Sequence, residues 1–408
     1  MDIPNFNELS VKITKEIGKD EKKENGIFFT PLNTIKRTMK YLQPYMKNIK
    51  NVLEPSCGSC EFILWLLKYN DTLLIDGIEL HPTIFNYIQN IETIKTNPNV
   101  TLFNQDYLKF KIDKKYDLII GNPPYFVMKK KDVSNEYYPY FDGRPNIFIL
   151  FIMVSLEKIN PNGILSFVLP KNFLNCIYYD KTRKVISEKY SIIAIDDCED
   201  DFLETKQETI LLIIQKKIPN EQENNEYILQ INNYTIFGMK ENIQKMNYLY
   251  CESTTLKDLN FSVNVGNVVW NQCKDILTND SSYTQLIYSS DITKNKLNMK
   301  TYKNEMKKNY IQKEGINTPS LVINRGYGKG TYKFDYCLIE GGFEYLIENH
   351  LICIKYNDII TNKELVVLYK KIIKSLQNEK TIQFIELYFG NNAINTTELC
   401  KILPIYDI

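Results

Sequence analysis

Short apolar runs alternate with longer amphipathic segments along the chain from about residue 50 onward. Runs with little polar alternation are typical of strands buried on both faces, and the segments between them are long enough for helices. The apolar runs predict strands at 51–54, 74–79, 100–103, 116–121, 163–169, 191–196 and 209–215. The intervening segments predict helices, for example at 61–69, 82–91, 146–159 and 173–190. The pattern therefore predicts an α/β fold with a mostly parallel, helix-covered sheet.

The regular pattern ends after the last predicted strand. Residues 216–226 are almost entirely polar, which predicts a linker. Beyond them, strand-like and helix-like segments mix less regularly. A length of 408 residues is enough for two domains. We therefore expect a first domain over 1–220 and a separate α+β domain over 227–408.

The composition excludes several classes of protein. Hydrophobic residues make up 44% and charged residues 24% of the chain, as is ordinary for a globular protein. No run of about 18 apolar residues is present, so no membrane span is expected. The first residues lack the basic-then-apolar order of a signal peptide, which predicts an intracellular, cytoplasmic protein.

Cysteine and charge usage narrow the chemistry further. The nine cysteines form no regular framework, and Cys57 and Cys60 have no second pair at zinc-site spacing. With two histidines in the whole chain, no metal site is expected. The net charge of +1 gives no global excess of positive charge, but a local basic stripe is sufficient for nucleic-acid binding.

The strongest chemical signal follows the fourth predicted strand, which leads into Asn122, Pro123, Pro124 and Tyr125. Each proline fixes its own φ and restricts the residue before it, so the turn is stiff. Such a turn can hold the Asn122 side-chain oxygen and the Pro123 carbonyl toward one point. Two acceptors there would take both hydrogens of an amino group and free its lone pair to attack a methyl group. Tyr125 offers a flat face for a base. An ordinary Asn–Pro turn is the alternative.

Small and acidic residues follow the first three predicted strands, at the sheet edge where ligands bind in such folds. Glu54 and Pro55 end the first strand, and Gly58 permits close backbone approach by a ligand. Glu79 ends the second strand, where a carboxylate is placed to accept from ribose hydroxyls. An exposed strand-end acid is the alternative. Asp106 follows the third strand and either accepts from an adenine amino group or caps a helix.

In their order along the chain, these motifs resemble those of the gamma-class DNA adenine-N6 methyltransferases, the TaqI-like type II modification methylases. Five segments carry the resemblance, namely 26–31, 52–62, 76–79, 104–106 and 120–125. It covers roughly residues 24–217. It implies a Rossmann-like sheet that binds S-adenosylmethionine, a C-terminal target-recognition domain, and methylation of a flipped-out adenine at N6 in double-stranded DNA.

The resemblance also assigns residues. It implies that the cofactor is bound by Phe29, Thr30, Glu54, Pro55, Gly58, Glu79, Asp106 and Asn122. It implies that the catalytic set is Asn122, Pro123, Pro124 and Tyr125, with Phe202 as a second aromatic against the base; an ordinary core aromatic is the alternative for Phe202. One departure concerns the first loop, where Cys60 stands in place of the family's usual second glycine. A thiol must then fit where a hydrogen is usual, which predicts an effect on cofactor affinity.

Basic residues supply candidate DNA contacts. Lys129 and Lys130 belong to a cluster just after the catalytic loop. Residues 293–314 hold seven lysines, Lys308 among them, against two glutamates. Arg325 lies among glycines, and arginine can make a bidentate contact to guanine in the major groove. A solvated lysine-rich loop and a glycine-rich surface turn are the respective alternatives.

Three other functions share parts of this sequence pattern. Methylation of a protein glutamine, as in the HemK-like family, uses the same four-residue loop, and methylation of adenine in RNA is a second alternative. The third is an inactive DNA-binding subunit, which the intact motifs argue against. Thr30–Pro31 ahead of the first strand and about 190 residues after the sheet favour DNA methylation. The expected partners are duplex DNA with a short recognition site and a separate cognate restriction endonuclease. The expected state is a monomer in the cytoplasm, or in the host's cytoplasm for a viral protein.

Overall fold

The computed structural model describes residues 5–199, 202–205, 207–217, 226–324, 335–389 and 394–407. The chain forms two compact units, Met1–Ile243 and Gln244–Ile408. This division lies further along the chain than the polar stretch 216–226, from which the sequence predicted a linker.

A seven-stranded sheet forms the centre of the first unit. Its strands are β1 (Asn51–Glu54), β2 (Leu74–Glu79), β3 (Val100–Asn104), β4 (Tyr116–Gly121), β5 (Ile159–Pro170), β6 (Tyr190–Cys198) and β7 (Thr209–Lys216). They stand in the order β3-β2-β1-β4-β5-β7-β6. All pairs among β1 to β5 are parallel, whereas β7 runs antiparallel to both β5 and β6. The predicted α/β class with a mostly parallel sheet is confirmed.

Helices cover both faces of this sheet. Those described in the first unit are α1 (Glu8–Glu16), α2 (Lys19–Asn25), α3 (Leu32–Leu42), α4 (Glu61–Tyr69), α5 (Pro82–Ile88), α6 (Glu92–Lys95), α7 (Ile147–Lys158) and α8 (Asp180–Lys189). Successive strand residues face opposite sides, so Val52 packs in the apolar cluster with α3 and α4 while Leu53 packs in the cluster with α7. Residues 147–156 of α7 are all buried, which explains its continuous apolar sequence.

A hairpin after the sheet belongs to the first unit. Its strands are β8 (Ile228–Ile231) and β9 (Tyr234–Phe237). The buried Arg183 donates from Nε to the Thr235 carbonyl at 2.5 Å, and Asp180 Oδ1 accepts from the Thr235 amide at 2.7 Å. Phe237 lies in the same apolar cluster as α7. Residues 227–243 therefore fold with the first unit, although the sequence pattern grouped them with the C-terminal domain.

The second unit has the predicted mixture of strands and helices. Its helices follow α9 (Lys240–Tyr250), which spans the division, and are α10 (Asn362–Leu376), α11 (Glu379–Phe389) and α12 (Thr396–Lys401). Its strands are β10 (Phe261–Val265), β11 (Leu277–Thr278), β12 (Thr284–Ile287), β13 (Ile292–Thr293), β14 (Lys296–Leu297), β15 (Tyr310–Ile311), β16 (Ser320–Asn324), β17 (Asp335–Ile339), β18 (Tyr345–Ile347) and β19 (Leu351–Tyr356). They form the sheets β10-β19-β16-β17 and β11-β15-β12-β18 and the pair β13-β14.

Within the described ranges, none of the helices has both the length and the apolar character needed to cross a membrane. The same residues contain no group of three or more His, Cys, Asp or Glu side chains arranged to hold a metal ion.

Candidate active site

The Asn122–Tyr125 turn, hereafter the catalytic loop after its predicted role, lies at the carboxyl end of β4. Asn122 Nδ2 donates to the Phe28 carbonyl at 3.2 Å, and this bond fixes which way the amide faces. The Tyr125 hydroxyl lies 2.5 Å from Asn122 Oδ1 and 2.7 Å from the Val168 carbonyl at the end of β5. Ser56 Oγ donates to the Asn122 carbonyl at 3.2 Å. The loop is thus held by a residue from the segment before β1 and by residues at the carboxyl ends of the two neighbouring strands, β1 and β5.

Gly26 lets this preceding segment approach the loop. Gly26 ends α2 with a left-handed φ of +66°. A Cβ atom added there would lie 2.9 Å from Pro124 Cβ and 2.9 Å from the Tyr125 backbone nitrogen. Such distances leave no room for a side chain, so glycine is required both for the conformation and for the contact.

A cavity of about 320 Å³ adjoins the catalytic loop and is hereafter called the base pocket, after the occupant that the sequence predicts for it. Three aromatic side chains line it, those of Phe28, Tyr125 and Phe202. Its polar lining comes from α2 and from the chain around residue 205, namely Lys19, Lys22, Lys23, Glu204, Thr205 and Gln207. The structure therefore brings Phe202, for which an ordinary core aromatic was the alternative, to the same cavity as Tyr125.

The Tyr125 phenol remains neutral in this setting. Burial raises its pKa well above the usual range, and the nearby Cys198 adds to the rise. A neutral hydroxyl has one hydrogen, so it donates to either Asn122 or Val168 at a given moment. Asn122 Oδ1 has two lone pairs and keeps at least one for another donor. The amide is therefore oriented while its oxygen can still accept a hydrogen bond.

The loop between β1 and α4, hereafter the cofactor loop, carries Gly58 at φ +50° and Cys60 at φ +61°. The ring of Phe29 lies beside Gly58, 3.6 Å from where a Cβ would stand. Cys60 is fully buried and packs in the apolar cluster with α3 and α4. Its thiol is thus accommodated in the core. Thr30, next to Phe29, is also buried.

Glu54 is a buried acid at this edge of the sheet, and one of its carboxylate oxygens lacks a hydrogen bond to the described residues. It is only 2% exposed, and its Oε2 has no hydrogen-bond partner among the described residues. Burial holds its pKa well above the usual range, a rise that a backbone hydrogen bond at Ile63 opposes. A buried carboxylate oxygen without a partner is costly, so it marks a place for a positively charged or hydrogen-bond-donating ligand group.

Glu79 instead holds the cofactor loop. Its Oε2 accepts from the Gly58 amide at 2.9 Å and its Oε1 from the His81 amide at 2.7 Å. Burial raises its pKa, although these two backbone donors oppose the rise. Asp106 caps the short helix 107–109, accepting from the Leu108 amide at 3.0 Å. Of the two roles that the sequence predicted for Asp106, the structure shows the helix cap.

The Glu54 and Glu79 carboxylates are hydrogen-bond acceptors and, with Gly58 and Phe29 beside them, they fit S-adenosylmethionine. That molecule has an ammonium group and ribose hydroxyls, all of which donate hydrogen bonds. The unpartnered Glu54 oxygen and the free lone pairs on Glu79 are complementary to such groups.

The predicted DNA contacts fall in three settings. Lys129 and Lys130 are exposed on the segment after the catalytic loop. That segment returns to the loop where the Ile147 amide donates to the Phe126 carbonyl at 3.0 Å. Lys308, in the second unit, is half-buried, and its carbonyl accepts from the Tyr288 hydroxyl. Arg325 lies outside the described residues.

Several contacts at the site were not predicted from the sequence. The Phe28 carbonyl and Ser56 hold Asn122, yet a backbone acceptor and a small loop residue give no distinct sequence signal. Lys22 and Glu204 form an ion pair at 2.6 Å beside the base pocket. Because 182 positions separate Lys22 from Glu204 (204 − 22), no local pattern links them.

Comparison with known proteins finds similarity to methylases. Residues 54–203 match the family model described as Eco57I restriction-modification methylase. The type II methyltransferase M.CvrRI of Paramecium bursaria Chlorella virus XZ-6E is 25% identical over 98% of this chain and 99% of its own. The modification methylase CviBIII of Paramecium bursaria Chlorella virus NC1A is 25% identical over all of both chains.

A solved structure supports the fold. The cryo-electron-microscopy structure of a DrdV–DNA complex aligns with a TM-score of 0.56 at 12% identity, over 94% of this chain and 57% of that one. The family match at residues 54–203 and the two viral relatives show that the chain is similar to methyltransferases of the type II restriction–modification kind. Together with the sheet order, they give S-adenosylmethionine as the methyl donor.

Proposed function

We propose that this methyltransferase acts on DNA and transfers the methyl group to the exocyclic N6 amino group of adenine, after the base has been rotated out of the duplex. The observation that carries the proposal is the orientation of the Asn122 amide by the Phe28 carbonyl, which leaves Asn122 Oδ1 as an acceptor next to the aromatic base pocket.

The chemistry follows from the acceptors on the catalytic loop. S-adenosylmethionine supplies a methyl group on a positively charged sulfur. Asn122 Oδ1 and the Pro123 carbonyl accept the two amino hydrogens and thereby draw the nitrogen lone pair out of conjugation with the ring. These acceptors also stabilise the positive charge that develops on the nitrogen. The prolines keep both acceptors in place, so little reorganisation is needed.

The aromatic lining supports a flipped base. Removing an adenine from the duplex stack costs roughly a few kcal/mol. Stacking on an aromatic side chain returns about 1–3 kcal/mol per base. Tyr125 and Phe202 line one cavity and supply such faces. Contacts of lysines with phosphates, including those of Lys129 and Lys130, supply the remainder.

Different relatives support adenine as the target base and DNA as the substrate. One further relative, 28% identical over 30% of this chain and 52% of its own, is the tRNA1(Val) (adenine(37)-N6)-methyltransferase of Glaesserella parasuis. Its name gives the proposed reaction, on RNA. The two viral relatives instead align with both units of this chain and are named as type II or modification enzymes. On this basis we propose duplex DNA with a short site as substrate, a separate cognate endonuclease, and a monomer with its recognition surface in the C-terminal part, beyond residue 227.

Product analysis tests this proposal directly. The full chain would be incubated with S-adenosylmethionine and, separately, unmodified duplex DNA and RNA, followed by digestion to nucleosides and mass spectrometry. We expect N6-methyladenine in DNA. A product of N4-methylcytosine or 5-methylcytosine would overturn the adenine assignment, and methylation of RNA alone would overturn the DNA assignment. Asn122→Ala controls for contaminating activity.

A further inference from the structure

Lys22 is a buried lysine in the wall of the base pocket. It is only 3% exposed. Its Nζ donates to the Thr14 carbonyl at 2.5 Å and pairs with Glu204 Oε2 at 2.6 Å. A buried ammonium group needs such partners because its desolvation costs several kcal/mol. The Thr14 carbonyl and the Glu204 carboxylate therefore stay close to the Lys22 ammonium group.

This ion pair connects two walls of the base pocket. Lys22 belongs to α2, whose end at Gly26 packs against Pro124 and Tyr125. Glu204 stands two residues after Phe202. The contact thus joins the side of the pocket that is fixed to the catalytic loop to the side that carries Phe202.

The width of the pocket decides how well a base is held. Aromatic stacking is short-range, because contact energy between non-bonded atoms falls by a quarter to a half when the gap widens by about 0.5–1 Å. Phe202 needs an anchor if it is to keep a fixed distance from Tyr125. A pair between a buried ammonium and a carboxylate that is 30% exposed supplies one, since it is shielded from full solvent screening.

We propose that Lys22 and Glu204 are positioning residues that hold Phe202 at stacking distance from the target base. They act through Phe202 and are not catalytic themselves. The inference rests on the proposed function, since it takes the target base to be the occupant of the pocket. It assigns to the N-terminal helices a part in holding the substrate.

The test uses full-length Glu204→Ala, Lys22→Met and the double variant. Each would be assayed by single-turnover methylation at saturating DNA and by fluorescence of 2-aminopurine at the target position. We expect each single variant to slow methyl transfer at least tenfold and to change the fluorescence of the bound base. Cofactor affinity, measured by calorimetry, should stay within twofold of wild type. The double variant should be no slower than the slower single variant, because all three lose the same contact.

Lys15→Met is the matched control, because it removes one exposed lysine of α1 that does not line the base pocket. It should behave as wild type. Should Lys22→Met fail to fold, Glu204→Ala still decides, since its side chain is partly exposed. Wild-type rate and fluorescence in Glu204→Ala would overturn the inference alone. Absence of N6-methyladenine with the wild-type enzyme would overturn the proposed function and this inference with it.

Discussion

Asn122 is fixed at its amide by contacts on both atoms, from Phe28 and from Tyr125. In the proposed reaction, the hydrogen bond that Asn122 accepts strengthens as charge develops on the amino nitrogen, so the interaction acts mainly on the transition state. We therefore expect Asn122→Ala to slow methyl transfer by roughly 100-fold or more, with DNA and cofactor affinity close to wild type. Single-turnover kinetics beside equilibrium binding would measure both.

Asn122→Asp is the informative comparison. It keeps an acceptor oxygen but loses the hydrogen that Nδ2 donates to the Phe28 carbonyl. Its rate should lie between those of wild type and Asn122→Ala. An alanine variant that transfers methyl at the wild-type rate would remove Asn122 from the chemical step.

Tyr125 combines a ring at the base pocket with a hydroxyl directed at Asn122 and Val168. Tyr125→Phe keeps the ring and loses about 1 kcal/mol of hydrogen bonding, so the rate should fall no more than about tenfold. Tyr125→Ala removes the stacking face and should also lower the population of flipped base. Fluorescence of 2-aminopurine at the target would separate the two effects. Equal fluorescence in both variants would argue against stacking on Tyr125.

The buried carboxylate of Glu54, with its unpartnered Oε2, predicts a pH-dependent stability. Burial raises its folded-state pKa well above 4.5, its ordinary value, so the ionised group destabilises the cofactor-free fold. Below pH 4.5 the group is protonated in both states; as the pH rises from there toward the folded pKa, stability is lost. Glu54→Gln should therefore raise the melting temperature of the cofactor-free protein at pH 8 and hardly change it near pH 4.

The same substitution should weaken cofactor binding, because glutamine offers no negative charge to a cationic group. Calorimetry of unfolding and of S-adenosylmethionine binding would test the two effects on one pair of proteins. A glutamine variant that is no more stable than wild type at pH 8 would show that the carboxylate is already satisfied.

At the scale of elements, the end of α2 and the catalytic loop depend on one glycine. Gly26→Ala introduces a Cβ at 2.9 Å from Pro124 and from the Tyr125 nitrogen, at φ +66°. We expect a loss of about 1–3 kcal/mol in the free energy of unfolding and a displaced catalytic loop with lower activity. Gly18→Ala, at the start of α2, is the control, since a Cβ there meets nothing within 4 Å. Urea unfolding and steady-state rates of both variants would distinguish them; equal behaviour would contradict the contact.

Local patterns predicted the elements where one period dominates. β1, β2, β4 and α4 have the predicted bounds, because each contains buried apolar side chains and ends at or next to a polar residue or Gly. The predicted helix 173–190 is shorter and begins at Asp180. The buried Arg183 guanidinium donates to the carbonyls of Phe173 and Cys176, which lie in tighter turns ahead of it. Such a tertiary contact leaves no periodic signal.

The residues of the candidate site also fall into two groups, those that have a sequence signal and those that have none. The catalytic loop and the acids at the strand ends have sequence signals, because their chemistry demands particular residue types at fixed places in the fold. The partners that orient them have none. Phe28 acts through its carbonyl, which any residue would supply, and Lys22 meets Glu204 only through the tertiary fold.

At the scale of the whole molecule, the residues proposed for methyl transfer and those proposed for recognition of the DNA sequence belong to different parts of the chain. The catalytic loop, the cofactor loop and the base pocket all lie in the first unit, whereas Lys308 lies in the second. Both viral relatives retain this full length. A methyltransferase that needs only a pocket and a cofactor site would have no use for the second unit. Its presence therefore supports recognition of an extended substrate.

Two substitutions in the full chain test that assignment. Arg325 is proposed to read a base, so Arg325→Ala should cost about 1–3 kcal/mol at the preferred site and relax the choice at one position. Lys308 is proposed to contact phosphate, so Lys308→Ala should weaken binding to all sequences alike and reduce the dependence of log K on log salt by about one. Long-read sequencing of methylated random DNA would report the first effect, and binding titrations at several salt concentrations the second. If both variants keep the wild-type site preference and salt slope, recognition lies elsewhere in the chain.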